Sequence, residues 1–202
     1  LVIKEGNTLT TMSAMKNIVA KAEVSESFER EVAIYDLNEF LASLSLFKSP
    51  VLEFDESFVT IKEENTTTSL KYFYSDPSVV TTPSKTIKMP SKEVTFSLKG
   101  EDLTKLKRAA GVIGAPDLVL ERKDTGSFLT VKDKKNDTAN TFSLDVTTTS
   151  EGNFNCFFTV ENLKVMDGNY DVEISSKNIS HLSSSNKDVE YWVALEPEST
   201  YE

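Results

Sequence analysis

The stretch Glu31–Phe47, EVAIYDLNEFLASLSLF, decides the fold. Val32 and Ile34 alternate with their neighbours like the inward positions of a half-buried strand. From Leu37 the period changes. Leu37, Phe40, Leu41 and Leu44 recur at i, i+3, i+4 and i+7, the apolar face of a helix. A strand therefore runs into a short amphipathic helix within a residue or two, with Asp36 placed to cap it. Three strand-like runs follow: Val51–Phe54, Phe58–Ile61 and Leu70–Tyr74.

The unit returns. From Glu93 the chain reads EVTFSLKGEDLTKLKRAA, again a strand (Val94, Phe96, Leu98) entering a helix (Leu103, Leu106, Ala110). Leu118–Glu121, Phe128–Val131 and Thr141–Val146 follow as strands, and SFLTVK at Ser127–Lys132 repeats SFVTIK at Ser57–Lys62. At Asn155 the start recurs in NCFFTVENLKVM, with Tyr170–Ile174 and Tyr191–Leu195 as later strands. Residues 31, 93 and 155 stand 62 apart each time. Equal spacing with the same element order is an internal repeat of one strand, one helix and about three strands.

At 202 residues the chain can form one large domain or two of about 100, each with a real core. Hydrophobic content is 39%, and Thr, Ser, Val and Phe crowd the strand-like runs, so β structure is favoured. The single cysteine, Cys156, excludes an internal disulfide and reads as a small buried hydrophobe in a reducing compartment. No run approaches the roughly 20 apolar residues of a membrane span, and no signal peptide is visible, so a soluble intracellular protein is expected. Net charge is −10, which argues against nucleic acid unless the basic residues gather on one face.

In chain order, Leu1–Lys4, Thr8–Met12 and Ile18–Val24 read as strands without the strand and helix that precede them in the other units. The repeat thus predicts a missing leading unit of roughly 20–30 residues upstream. Ser75–Lys92 holds three of the six prolines and little periodicity, an extended linker. The expected division is a first domain at 1–75, lacking its first strand and helix, a linker at 76–92, and a second domain at 93–202. Asp133–Asn140 and Ser176–Asp188 read as polar hairpin loops, and the acidic tail EPESTYE as solvated.

Duplicated units in two domains, with one helix per unit, resemble the DNA sliding clamps, and the wording is most similar to the clamps of T-even-type bacteriophages. The residues that carry the resemblance are Glu31–Leu46, YSDPSVVTTPSK at Tyr74–Lys85, DGNYDV at Asp167–Val172 and YWVALEPEST at Tyr191–Thr200. The likeness spans nearly the whole chain from about Gly6. It implies an α+β DNA-clamp fold, with sheets outside and helices lining the hole of a homotrimeric ring. It implies a DNA polymerase processivity factor that encircles duplex DNA independently of sequence. An ATP-driven clamp loader would open the ring, and the C-terminal peptide of the polymerase would dock on it. The setting implied is the cytoplasm of an infected bacterium, with no reaction and no cofactor of the protein's own.

The second helix bears on this directly. At about 100° per residue, Leu103, Leu106 and Ala110 face one way while Lys105 and Arg108 project the other. Lys107 falls near the apolar edge, Lys99 at the preceding strand end, and Lys164 on a short third helix. These five are the candidate DNA-facing residues, contacting backbone without reading bases. A solvated face offset by Glu101 and Asp102 is the bland alternative. The first helix offers Glu39, Ala42 and Ser43 outward, with Lys48 just beyond its end, so it adds little attraction. Lys16 and Lys21 read as ordinary surface lysines.

Nothing points to catalysis. His181, the lone histidine, falls at an expected strand end with no second metal ligand beside it. No phosphate-binding glycine loop occurs, and Gly111 and Gly114 read as the end of the second helix. Pocket candidates for a partner are the hydrophobic positions of Val79–Met89 and those near Trp192, for which buried core is the alternative. A clamp-like structural β-rich protein that does not encircle DNA is the competing function.

Overall fold

The computed structural model describes residues 1–83, 85–150 and 152–202; position 84 of the expected linker lies outside them. The chain divides into two compact units: Leu1–Met12 with Ala22–Ser84, and Ser13–Lys21 with Lys85–Glu202.

In the first unit β1 (Val2–Ile3), β2 (Gly6–Met12), the later part of β3 (Ile18–Phe28) and β4 (Val32–Ala33) form a sheet in the order β4-β1-β2-β3. Helix α1 (Leu37–Ser45) follows, then the antiparallel sheet β5-β6-β7 (Pro50–Phe54, Phe58–Glu63, Ser69–Phe73). Strand, helix and three strands thus stand in the expected order. Asp36 caps α1, its Oδ1 accepting from the Glu39 N–H at 3.0 Å. Ile34, Val59 and Ile61 are at most 1% exposed and form the core with Phe40 and Phe47. The apolar face of α1 is only half used. Phe40 meets Tyr72 edge-on at 5.1 Å and Leu44 packs beside it, whereas Leu37 and Leu41 are 39% and 53% exposed. On so short a helix the sheet reaches the Phe40–Leu44 side, and the stripe is wider than what covers it.

The second unit holds β8 (Val94–Leu98), α2 (Gly100–Ile113), β9 (Asp117–Lys123), β10 (Gly126–Lys132), β11 (Phe142–Val146) and β12 (Phe154–Thr159). After them come β13 (Tyr170–Ser175), β14 (Ile179–Ser184), β15 (Val189–Ala194) and β16 (Thr200–Tyr201). Five strands run β11-β10-β9-β12-β16; the other sheet runs β15-β14-β13-β8, with Ile18–Lys21 beside β15. Leu103, Leu106, Val119, Leu120, Tyr170 and Ile174 are at most 1% exposed.

Four expectations need correction here. Ser176–Asp188 is not a loop but contains β14, paired on both sides with β13 and β15. Ser180 and Leu182 face inward, and the Ser180 hydroxyl donates to the Val193 carbonyl at 2.9 Å. A serine so bonded sits in a sheet without an unpaired polar group. His181 accordingly lies mid-strand. It stacks on Trp192 at 4.8 Å, with Glu190 Oε2 at 2.8 Å and Glu173 Oε2 at 3.6 Å. The acidic tail is not simply solvated: Thr200 and Tyr201 pair with Asn155 and Phe154. Finally, the third unit's helix is a three-residue 3-10 turn, Val160–Asn162. Beyond it Leu163 and Val165 are buried while Lys164 and Met166 are exposed, an alternation that belongs to extended chain.

Cys156 is wholly buried, and burial pushes its thiol up to about 12 despite the opposing Tyr201 phenol, so no thiolate forms near neutrality. Glu121, 7% exposed, is subject to a burial effect that alone would raise its pKa. Lys123 at 2.8 Å, Lys132 at 3.7 Å and the Thr130 hydroxyl at 3.1 Å outweigh it and hold the carboxyl below 4.5. Glu93 is depressed likewise, by the Ser176 N–H and the hydroxyls of Ser91 and Ser176. A depressed folded value contributes stability that is complete above the unfolded value and lost as pH falls through the folded one. The melting temperature should therefore hold from neutrality to about pH 5 and drop below 4.5. Glu121→Gln should shallow that drop, and identical profiles for the two proteins would remove Glu121 from the account.

Candidate nucleic-acid interface

Three of the candidate cations, Lys105, Lys107 and Arg108, stand on α2. The chain leaves β8 at Leu98, and Lys99 takes the cap position without a side-chain cap bond; Asn169 Oδ1 accepts from the Gly100 N–H instead, at 2.8 Å. Glu101 and Asp102 in the first turn suit the positive end of the helix dipole. At the far end Gly114 adopts φ 68°, the left-handed conformation that closes a helix, and its N–H bonds the Ala110 carbonyl.

Leu103, Leu106 and Ala110 turn into the core at 1%, 1% and 3% exposure. Lys105 and Arg108 project the other way, both exposed, followed on the same stripe by Val112 at 79%. Lys105 lies 3.7 Å from Asp102, a loose exposed pair of small energetic consequence. Lys99 is exposed at the helix start.

Lys107 differs from these. It is half-buried, and its ammonium donates to the Val165 carbonyl at 3.1 Å. Burial lowers its pKa, with Asp167 opposing. Lys164 is 73% exposed and 3.4 Å from Glu161, but on the extended segment after the 3-10 turn, not on a helix. Leu163 beside it packs with Leu103 and Leu106, so the segment rides on α2.

On α1, Glu39 and Ala42 are exposed, Ser43 is half-buried with its hydroxyl bonded to the Glu39 carbonyl, and no cation stands among them. Lys21 pairs with Glu190 at 3.2 Å, and Lys16 sits at φ 57° in the turn before β3. The residue that sequence reasoning overlooked is Asn169. Asp167–Gly168 signals a turn, but nothing local shows that the next side chain caps a helix 69 residues earlier. No helix among the described residues is long and apolar enough to cross a membrane.

Residues 95–197 match the family described as gp45 sliding clamp, C terminal. The sliding clamp of Vibrio phage KVP40 is 31% identical, over 97% of this chain and 90% of that protein. The sliding clamps of Escherichia phage RB69 and Enterobacteria phage T4 are each 28% identical, over 100% of this chain and 91% of theirs. Among solved structures, the complex of A. fulgidus PCNA with the C-terminal region of FEN-1 superposes with a TM-score of 0.68 at 16% identity, covering 98% of this chain and 88% of that one. PCNA from Entamoeba histolytica gives 0.64 at 13%, over 96% and 87%. At such identities these two structures speak for the fold.

Proposed function

The chain belongs to the sliding-clamp family of T4-type phages, and from that premise we propose how its parts act as a DNA polymerase processivity factor. Three copies close into a ring with the sheets outside and α2 lining the hole. Residues 1–75 and 93–202 supply the two clamp domains of each copy and 76–92 the linker. Lys105 and Arg108, aided by Lys99 and Lys164, face the phosphates of an enclosed duplex. The observation that carries this is the outward basic stripe of α2 in a chain of net charge −10.

The protein has no reaction of its own in this reading and needs no cofactor. A clamp-loader ATPase opens the ring, and a polymerase docks on it through a short C-terminal peptide, in the cytoplasm of the infected host. Processivity then follows from topology. A polymerase held by a closed ring rebinds as an intramolecular partner at high effective concentration. The duplex need only be held weakly, because the closed ring and not the phosphate contacts prevents dissociation. The phage relatives favour this over a structural protein that encircles nothing.

Light scattering should give the mass of three chains. Loaded onto a nicked circular plasmid, the protein should stay through gel filtration and be released when the circle is cut. A monomer, or equal retention on linear DNA, would remove the encircling mechanism.

A further inference from the structure

The Val165–Asn169 segment holds α2 from outside the helix. Asn169 Oδ1 accepts from the Gly100 N–H at 2.8 Å, closing a first turn that Lys99 leaves uncapped. At the same point the two backbones touch. A Cβ on Gly100 would lie 2.9 Å from the Gly168 carbonyl oxygen and 3.0 Å from its carbon. Seven residues on, the Lys107 ammonium donates to the Val165 carbonyl at 3.1 Å. Seven residues bring a helix round to within about 20° of its starting side and advance it by roughly 10 Å. Gly100 and Lys107 therefore form two anchor points on one side of α2.

The segment is in turn tied to the sheet. The Met166 N–H donates to the Tyr191 hydroxyl at 3.2 Å, and the Tyr170 hydroxyl donates to the Met166 carbonyl at 2.6 Å. The two tyrosine rings meet edge-on at 6.0 Å, from β13 and β15. Lys187 donates to the Asp167 carbonyl at 3.2 Å, and the Ser185 N–H to the Asn169 carbonyl at 3.0 Å. Four groups of the sheet and its turn thus fix a strap, and the strap fixes the helix.

We propose that Asn169 and Lys107 are positioning residues that set the tilt and rotation of α2, and that Lys107 belongs to this joint and not to the DNA contacts. The inference rests on the reading of Lys105 and Arg108 as DNA-facing. A rotation of about 30° would sweep a charge ~6 Å from the helix axis through about 3 Å, enough to break a phosphate contact. The basic stripe works only if something holds that angle, and the two anchors add a polar hold at the edge of the apolar face to the packing of Leu103, Leu106 and Ala110.

The test is a cycle on the full chain, read by fluorescence anisotropy of a labelled short duplex at low salt, with thermal melts as the fold control. Asn169→Ala should weaken binding about fivefold in the native background and leave it unchanged in Lys105→Ala/Arg108→Ala, because coupled residues are non-additive. Gly100→Ala, which pushes the strap away without altering a charge, should reproduce it. Lys107→Met keeps the buried stem and should behave the same way, and it tests the joint even if Asn169→Ala fails to fold. Equal losses from Asn169→Ala in both backgrounds would reduce Asn169 to a general stabiliser and overturn the proposal. A loss from Lys107→Met that persists without Lys105 and Arg108 would make its ammonium a direct contact, and overturn that half. If Lys105→Ala/Arg108→Ala itself leaves binding unchanged, the DNA-facing reading fails instead.

Discussion

Replacing Lys105 and Arg108 together by glutamate should lower association with duplex DNA at least tenfold at about 0.1 M salt, and leave the melting temperature within a few degrees of the original. Both side chains are exposed, on the side of α2 opposite Leu103, Leu106 and Ala110, so neither contributes to the core. Lys105→Glu gives up only a loose contact with Asp102, and an exposed helix pair is worth about 0.3–0.5 kcal/mol. The effect on DNA is of another order. Each subunit loses two cations and gains two anions, and the log–log salt dependence should flatten by up to about 1.8 per subunit. Anisotropy with a labelled duplex and a loader-dependent assay on primed circles measure the two consequences separately. Native loading and an unchanged salt slope would take α2 out of the lining.

The opposite face of the same helix gives the opposite outcome. Leu106→Ala should destabilise the protein by about 3 kcal/mol, seen as a fall in melting temperature of roughly 10 °C. Leu106 is 1% exposed and lies among Leu103, Leu118, Val131, Val160 and Leu163. These come from α2, β9, β10, the 3-10 turn and the residue after it, so no single neighbour can collapse into the vacated space. The cost therefore includes the cavity as well as the lost transfer energy. A loss below about 1 kcal/mol in chemical denaturation would mean that the site repacks. The pair of variants separates what α2 holds together from what it presents.

The repeat was legible because two periods alternate within one short stretch: Val32 and Ile34 at period two, then Leu37, Phe40 and Leu44 at helical spacing. The same logic located α2 and its outward cations. It failed at Leu163 and Val165, whose two-residue spacing is extended chain within a stretch placed by analogy with the other units. It failed again at β14, where Ser180 looks like loop and is in fact satisfied by the Val193 carbonyl. Hydroxyl satisfaction is a tertiary fact, invisible to composition. Asn169 was beyond reach for the same reason, since its partner lies on another element. Lys107 stood at the edge of the apolar face in sequence. The structure gives the reason that edge matters: the ammonium is tied to Val165 and not left to solvent.

The outer face of α1, with Glu39, Ala42 and Ser43 and no cation among them, bears on mobility in the proposed ring. A lone ammonium ~8 Å from a phosphate in water gains about 0.5 kcal/mol, close to the thermal energy. Phosphates recur every ~1.7 Å along the duplex axis, so a few such charges per subunit trace a corrugated potential whose ripples are no deeper than thermal agitation. A second basic helix in each subunit would deepen every ripple. If α1 faced the duplex in the proposed ring, its lack of cations would keep drag along the duplex low.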